Sequence, residues 1–300
     1  MRRLSLADKL LFSKYLNAQP HDLSVYAFEN IYIWKNLFEV NWRIIEGRLC
    51  IFFRDQLGCF LYLPPLGDRI TPDVLNESFK IMDRVNKKNR DASRIENIEE
   101  KEISAYTALG LNCAWKSRDY VYRRSCLVNL KGDKFKSKRA SYNYFLKHNK
   151  FEYRAFGKED SDECLAIYLA WIKQRTTGRD KLYDGMLKDS LNSFIAMLEG
   201  FGRLDLTGRV VTIDGKIKAF TFGYKLNAST FCVLYEIADL EIKGLAQFIF
   251  RAFCAELKEY SYINVMDDSG LENLARVKLS YRPLRLLNSY IATRKECLIQ

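Results

Sequence analysis

The stretch RVVTIDGKIKAFTFGYK, residues 209–225, contains two strand-like runs joined by a turn at Asp214-Gly215. The runs are Arg209–Asp214 and Lys216–Lys225, and a third run, Thr230–Ile237, follows closely. Asp-Gly between two such runs is the strongest short-range signal for a β-hairpin, because both residues tolerate the positive φ angles of a two-residue turn. The stretch therefore predicts a meander of three strands.

Helices and short strands are predicted on both sides of this meander. In chain order they are helices Cys164–Gln174 and Leu182–Leu198 before it, and helix Ile242–Lys258, strand Tyr262–Met266, helix Leu271–Leu279 and strand Leu284–Ala292 after it. A meander that is followed by crossover helices gives a mixed sheet, and such a sheet can open at one edge.

The same order of elements occurs a second time, about 170 residues earlier in the chain. The predicted elements of this first copy are helices Leu6–Leu16 and Val25–Phe38, strands Asn41–Glu46, Arg48–Arg54 and Gly58–Leu63, helix Pro72–Lys88, strand Arg94–Ile98, helix Lys101–Leu109, and a strand pair within Asp119–Leu130. An open-edged mixed sheet can hold an acyl donor. Two copies of it therefore predict a tandem transferase.

Length and composition agree with two globular domains. The 300 residues are enough for two domains of ~150 residues, each with its own core, and 48% hydrophobic with 28% charged residues is ordinary globular composition. No apolar run approaches the ~18 residues of a membrane-spanning helix, and no signal-peptide core is visible. We expect a cytoplasmic protein, with peripheral attachment at a membrane surface as an alternative.

Cysteine and histidine usage limits the chemistry. The eight cysteines, Cys297 among them, have no CxxC spacing, which favours buried, reduced thiols. His21 and His148 are the two histidines, so a histidine-rich metal site is excluded and a Ser/His/Asp triad is disfavoured. We therefore predict no metal site.

The net charge of +11 is concentrated in one segment, Lys116–Lys150, which contains eleven Lys and Arg residues but only two Asp residues. Within it, 131–149 has the pattern of a basic helix with an apolar seam of Phe135, Tyr142 and Phe145. This helix would connect the two copies. It is either a solvated helix face or a track for the phosphates of nucleic acid or an anionic lipid headgroup. The residues assigned to such a track are Lys134, Lys138 and Arg139.

The junction between the third strand and the following helix of the second copy is the first candidate site. Gly244 and Ala246 are small residues in the first turn of that helix, where free N–H groups and the helix dipole favour an anion, and Lys243 adds a positive charge. A tight helix–sheet contact would explain the small residues equally well. Glu236, near the exit of an apolar strand, is a candidate general base or a ligand for an ammonium group, with a rim salt bridge as the alternative.

The next strand and helix supply a second set of polar residues. Asp267 and Asp268 follow the strand and could bind a substrate amine, although capping of the next helix is the simpler explanation. Lys278 and Tyr281 lie one helical turn apart and could place a cation and a phenol at the mouth of one cleft. Placement of both on the surface is the alternative. The predicted cleft is lined by Glu236, Lys243, Gly244, Asp267 and Lys278.

Several stretches resemble a known family, the stand-alone proteins that carry the phosphatidylglycerol lysyltransferase C-terminal domain, long catalogued as a domain of unknown function. The resemblance is carried by LSLADK (4–9), YAFENIYIW (26–34), PLGD (65–68), DYVY (119–122), LKG (130–132) with KR (138–139) and NYF (143–145), DGKIKAFT (214–221), YEIA (235–238) with KG (243–244), and LENL (271–274) with KLSYRP (278–283). It spans nearly the whole chain.

The resemblance implies an α/β (α+β) fold of two tandem GNAT-like mixed-sheet domains joined by a basic connector helix. The implied bounds are 1–130 for a structural N-terminal domain, 131–150 for the connector and 151–300 for the C-terminal domain with the active cleft. Better-known relatives move lysine or alanine from a charged tRNA to phosphatidylglycerol and carry an N-terminal membrane region, and no such region is predicted in these 300 residues. The resemblance assigns catalytic roles to Glu236 and Lys278.

The resemblance also bears on the donor substrate. Acetyl-CoA-using members have Arg or Gln where this chain has Glu241, three residues before Gly244, and a carboxylate facing a pyrophosphate is electrostatically unfavourable. Aminoacyl-tRNA is therefore the expected donor, and an amine, a hydroxyl or a lipid is the expected acceptor. Two alternatives stay open: an acyl-CoA-dependent N-acyltransferase of a small amine, and a catalytically silent protein that binds RNA or a membrane surface. Under the leading hypothesis, Glu236→Gln should abolish transfer and change stability by less than ~1 kcal/mol.

Overall fold

The computed structural model describes residues 1–87, 89–176 and 180–294, so Cys297 lies outside the described residues. The strands are β1 Arg2–Arg3, β2 Glu39–Ile45, β3 Arg48–Arg54, β4 Cys59–Leu61, β5 Arg94–Glu99, β6 Leu111–Arg123, β7 Glu152–Ala155, β8 Leu206–Ile213, β9 Lys216–Lys225, β10 Thr230–Ala238, β11 Tyr262–Asn264 and β12 Arg285–Arg294. The α-helices are α1 Lys9–Leu16, α2 Phe28–Ile33, α3 Pro72–Asn86, α4 Ile103–Ala108, α5 Arg124–Asn129, α6 Lys136–His148, α7 Ser161–Arg175, α8 Lys181–Gly200, α9 Leu245–Glu256 and α10 Glu272–Ser280.

The described residues pack into two compact units. The first unit contains residues 1–119, 267–272 and 286–294, without residue 88, and the second contains 120–266 and 273–285, without residues 177–179. This division differs from the predicted bounds of 1–130, 131–150 and 151–300. Residues 120–130 and the basic helix pack with the second unit, whereas the last strand packs with the first.

The sheet of the first unit has the order β1-β2-β3-β4-β5-β12. Neighbours are antiparallel except β4 and β5, which are parallel and are joined through the single pair Leu61↔Ile95. β12 runs antiparallel to β5, from Ser289↔Glu99 to Thr293↔Arg94. Helix α3 covers one face, because its apolar stripe packs against apolar side chains of β3, β4 and β5.

The sheet of the second unit has the order β7-β8-β9-β10-β11-β6. Again one neighbouring pair is parallel, β10 with β11, and residues 121–123 of β6 are antiparallel to β11. The hairpin between β8 and β9 turns at Asp214 and Gly215, with φ of 52° and 75°, as the Asp-Gly signal predicts. Helix α9 buries Phe248 and Ile249 against the sheet.

The two halves of the chain have the same order of elements: a strand, two helices, three strands, a helix, a strand, a helix and a strand. The two sheets also have the same sequence of parallel and antiparallel pairs, provided that β12 is matched with β6. Each unit therefore takes its last strand from the other half of the chain. The predicted mixed α/β fold in tandem copies is confirmed.

Two local predictions are wrong. The predicted strand pair within 119–130 is the end of one long strand, β6, followed by helix α5, where Arg124 donates hydrogen bonds to the carbonyls of Tyr260 (3.0 Å) and Cys254 (3.3 Å). The basic helix starts at Lys136 rather than at residue 131, because Leu130 and Gly132 adopt positive φ angles that interrupt it. Within 1–87, 89–176 and 180–294, no helix has both the length and the apolar character needed to cross a membrane.

Candidate active site

The parallel strands β10 and β11 part in the second unit, and this opening defines the candidate site. They pair only from Thr230↔Tyr262 to Cys232↔Asn264, whereas β10 continues to Ala238 along β9. A register shift between Val233 and Tyr235 bends β10 just beyond the last parallel pair. Glu236 is the first charged residue after this bend, so the opening of the sheet positions its carboxyl group.

Glu236 has the electrostatics expected of a functional carboxyl. The residue is only half-buried, but its Oε2 is buried and has no hydrogen-bond partner among the described residues. Burial raises the pKa of the Glu236 carboxyl to about 8. A strongly perturbed carboxyl at an opening in a sheet is a candidate general base, because a base works best when its pKa lies near the working pH.

Tyr281 and Cys254 lie near the Glu236 carboxyl. Burial raises the pKa of the Tyr281 phenol and of the Cys254 thiol, and the charge of Glu236 raises both further. Tyr281 packs edge-on against Phe250 with 5.2 Å between ring centroids. The ammonium of Lys138, on α6, lies 4.3 Å from the centroid of the Tyr281 ring, and burial lowers the pKa of Lys138. Three predicted residues are thus brought together: Glu236 from β10, Lys138 from α6 and Tyr281 from the turn after α10.

Lys278 lies at the exit of β11 in the same unit. Its ammonium donates hydrogen bonds to the carbonyls of Val265 (2.7 Å) and Met266 (3.3 Å), and it lies 5.6 Å from the Tyr120 ring centroid. Its backbone carbonyl accepts a hydrogen bond from the Tyr122 hydroxyl at 2.8 Å. These contacts fasten α10 to the strands beneath it, and the catalytic role of Lys278 stays a prediction.

At Gly244 the contacts favour the packing alternative over an anion cradle. Gly244 precedes α9 with φ of 86°, and a Cβ at this position would collide with the backbone carbonyl of Ser141 on α6 and lie 3.1 Å from Phe145 Cβ. Ala246 packs in the apolar cluster that contains Phe145. Lys243 is exposed, and its ammonium lies 4.5 Å from the Tyr144 ring centroid. Helix α6 therefore packs closely against the first turn of α9.

Asp267 and Asp268 belong to a segment of the first unit. Asp267 Oδ1 accepts a hydrogen bond from the backbone N–H of Ser269 at 3.1 Å, and Asp268 Oδ1 accepts one from Gly270 at 2.9 Å. These short-range bonds shape the turn that leads into α10. Such a local structural role is similar to the helix capping that the sequence offers as the alternative. Their role in binding a substrate amine stays a prediction.

The predicted polyanion track is only partly exposed. Arg139 donates hydrogen bonds to the carbonyls of Leu130 and Gly132, so it holds the loop before α6. Lys138 points toward Tyr281, whereas Lys134 is exposed. The other exposed cations of the basic segment are Arg123, Lys131, Lys136, Lys147 and Lys150.

No signal in the sequence points to Cys254 at this site. It lies on the apolar face of a regular amphipathic helix, where a small buried thiol is the ordinary expectation. The sequence predicts that Lys138 faces outward with its neighbours, and only the packing of α6 turns it inward. Among residues 1–87, 89–176 and 180–294, no three His, Cys, Asp or Glu side chains come together to hold a metal ion.

The described residues form two mixed sheets, each with one short parallel pair of strands, in the tandem arrangement that the sequence predicts. A family model described as "Phosphatidylglycerol lysyltransferase, C-terminal" matches residues 19–293. The chain belongs to this family, as the sequence stretches predict.

Solved structures agree with this assignment. A conserved protein of unknown function from Bacteroides thetaiotaomicron is 27% identical, with a TM-score of 0.87, and the match covers 98% of this chain and 99% of that chain. L-PGS from Bacillus licheniformis is 14% identical with a TM-score of 0.67, covering 98% of this chain and 93% of that chain. The C-terminal domain of a putative lysylphosphatidylglycerol synthetase from Agrobacterium fabrum is 14% identical with a TM-score of 0.64, covering 97% and 93%. A comparison with curated proteins found no significant match.

Proposed function

We propose that this protein is an aminoacyltransferase and that the second unit carries the reaction, with Glu236 as general base. The proposed donor is an aminoacyl-tRNA, and the proposed acceptor is an amine or a hydroxyl group, including that of a lipid headgroup. Membership of the lysyltransferase family supports the reaction class. The observation that carries the assignment of the base is the buried, unpartnered Oε2 of Glu236 at the sheet opening.

Glu236 would act on the proton of the acceptor. In its ionised form the carboxylate takes the proton from the attacking amine or hydroxyl while the nucleophile forms a bond to the ester carbonyl carbon. The intermediate then collapses, the bond to the ribose oxygen breaks, and the carboxylic acid returns the proton to that oxygen. Tyr281, with the Lys138 ammonium over its ring, is the proposed hydrogen-bond donor to the oxygen that becomes negative.

Two observations support aminoacyl-tRNA over acyl-CoA as donor. Glu241, which is exposed, occupies the position where acetyl-CoA-using relatives have Arg or Gln. Helix α6 packs closely against Gly244, the residue that precedes α9. This packing leaves little room for a pyrophosphate beside Gly244.

The reaction can be tested with tRNA charged with a mixture of ¹⁴C-labelled amino acids, phosphatidylglycerol vesicles and a soluble primary amine. We expect the protein to transfer the label from tRNA to either the lipid or the amine. Parallel reactions with [¹⁴C]acetyl-CoA should show no transfer. Label that stays on tRNA in every reaction, or transfer from acetyl-CoA alone, would contradict the proposed donor.

We predict that exposed lysines before α6 contribute to tRNA binding. Lys131→Ala with Lys134→Ala should weaken binding and make the logarithmic salt dependence shallower by about one for each phosphate that is no longer neutralised. Both residues precede the helix, so the change should not disturb it. The measurement is filter binding of tRNA across a salt series.

The matched control removes two exposed lysines elsewhere in the second unit, Lys188 and Lys225. If the control and the Lys131/Lys134 variant show the same salt dependence, the basic segment is a solvated surface and has no special role in binding tRNA.

A further inference from the structure

A cavity of about 260 Å³ lies in the first unit, beside the strands β4 and β5 that are joined by a single pair. One wall is the chain that follows β4, from Pro64 to Ile70, and another is the chain that follows β5, from Lys101 to Tyr106. The cavity is close to the lower end of the ~300–1,000 Å³ range of small-molecule pockets. It belongs to the half of the chain that the sequence predicts to be structural.

Two carboxyl groups near this cavity differ in their partners. Glu99 accepts hydrogen bonds from the backbone N–H of Asp22 (2.8 Å) and from Lys101 (2.7 Å), and its Oε2 lies 3.0 Å from His21 Nδ1. Although burial opposes the shift, these contacts lower the pKa of the Glu99 carboxyl to about 2. Lys101, one of the cations that line the cavity, is therefore paired with Glu99.

Glu102 lines the cavity and is less well partnered. Its Oε2 is buried without a hydrogen-bond partner in the part of the chain that the structure describes. Burial and the charge of Glu99 raise the pKa of the Glu102 carboxyl. The terminal torsion angle of a glutamate side chain has a broad distribution of allowed values, so a small rotation can present this oxygen to a molecule in the cavity.

The other walls combine aromatic and apolar side chains with polar ones, among them Gln19, Asp68 and Arg69. Burial raises the pKa of the Tyr26 and Tyr106 phenols, and the charge of Glu102 raises both further, which places the two rings near this carboxyl. Tyr26 stacks on His21 with 4.0 Å between ring centroids. Pro64 and Pro65 form part of the apolar wall. Aromatic faces beside a carboxylate are suited to an organic cation.

We infer that this cavity binds a small organic ammonium, whose cationic head pairs with Glu102 and whose apolar body lies against the proline and tyrosine walls. An anion would meet the Glu102 carboxyl, and a purely apolar molecule would leave its Oε2 without a partner. The site is separate from Glu236, so this proposal goes beyond the transfer reaction and does not depend on it.

The test uses three probes of equal length: n-butylammonium chloride, n-butanol and sodium butyrate. Titration calorimetry should show binding of n-butylammonium to the parent protein and at least tenfold weaker binding of the other two. Glu102→Gln should weaken n-butylammonium binding at least tenfold, because the amide keeps the shape and removes the charge. Glu100→Gln, a change at an exposed carboxylate two residues away, should leave it unchanged. Equal binding of butyrate, or unchanged binding to Glu102→Gln, overturns the proposal.

Two further measurements separate a binding role from a structural one. The thermal midpoint of Glu102→Gln should be no lower than that of the parent, because the unpaired Oε2 contributes no contact to the fold. A drop of the midpoint would show that the fold depends on this carboxylate and would overturn the proposal. Ala105→Leu keeps Glu102 and fills part of the cavity, so it should abolish n-butylammonium binding. Retained binding by this variant would also contradict the proposed site.

Discussion

Glu236→Gln is expected to reduce aminoacyl transfer by about 10²–10⁴-fold, the usual contribution of a general base. Glutamine keeps the size and shape of the side chain and cannot accept the proton of the nucleophile. In the parent protein the transfer rate should rise with pH and level off above about 8, because only the ionised carboxylate acts as a base. This rise should be absent from the residual activity of the variant.

The same substitution is expected to stabilise the protein at alkaline pH. Burial raises the pKa of the Glu236 carboxyl from 4.5 to about 8, so the folded protein binds this proton more tightly than the unfolded chain does. The contribution of this group to stability is complete below pH 4.5 and is lost as the pH rises through 8. One unit of pKa shift corresponds to ~1.4 kcal/mol, so the buried charge destabilises the parent by several kcal/mol at pH 9.

Urea unfolding of both proteins from pH 5 to pH 9 measures this effect. The stability advantage of Glu236→Gln should grow with pH, which revises the sequence-based expectation of a change below ~1 kcal/mol. Glu259→Gln, at an exposed carboxylate of the same unit, is the matched control and should change neither activity nor the pH dependence of stability. A pH-independent difference between Glu236→Gln and the parent would show that the carboxyl is solvated, and unchanged transfer would remove Glu236 from the mechanism.

Gly244→Ala is expected to destabilise the second unit by about 3 kcal/mol or more. The positive φ of 86° disfavours any residue with a Cβ by ~1–2 kcal/mol. The new Cβ would also collide with the backbone carbonyl of Ser141, and overpacking typically costs a further ~1–3 kcal/mol. A backbone carbonyl in the middle of α6 cannot rotate away as the end of a flexible side chain can.

Gly215→Ala provides the matched control. Gly215 has a similar φ of 75°, and a Cβ there would meet nothing within 4 Å. Gly215→Ala should therefore show only the cost of the positive φ, ~1–2 kcal/mol. The difference between the two variants in thermal or urea unfolding isolates the contact between α6 and α9. Equal destabilisation would mean that α6 can move aside, and the space before α9 would then be available to an anion.

Local signals in the sequence predicted most of the elements. Asp214-Gly215 predicted a turn, and alternating or helical periodicity predicted the strands and helices on both sides of it. The periodicity cannot show which strands pair across the chain, since strand pairing depends on residues far apart in sequence. For this reason the predicted domain bounds ended at residue 130, whereas residues 121–123 pair with β11.

The candidate site was predicted only in part, for a similar reason. Glu236 is conspicuous as a carboxylate near the end of an apolar strand, and its role as a base stays a prediction. Gly244 could equally mark an anion site or a close helix contact, and only the position of Ser141 distinguishes the two. Whether Glu102 Oε2 has a hydrogen-bond partner depends on where the neighbouring side chains of His21 and Lys101 point. No local pattern in the sequence encodes it.

The exchange of last strands between the halves has a consequence for synthesis on the ribosome. Until β12 emerges, β5 pairs with the sheet only through its single pair with β4, and its other edge exposes unpaired backbone groups. The sheet of the first unit therefore stays incomplete until the chain is translated almost to residue 294. For the second unit, by contrast, the strand from the other half, β6, is translated before all its other strands. The half that is made first is thus the half that is finished last.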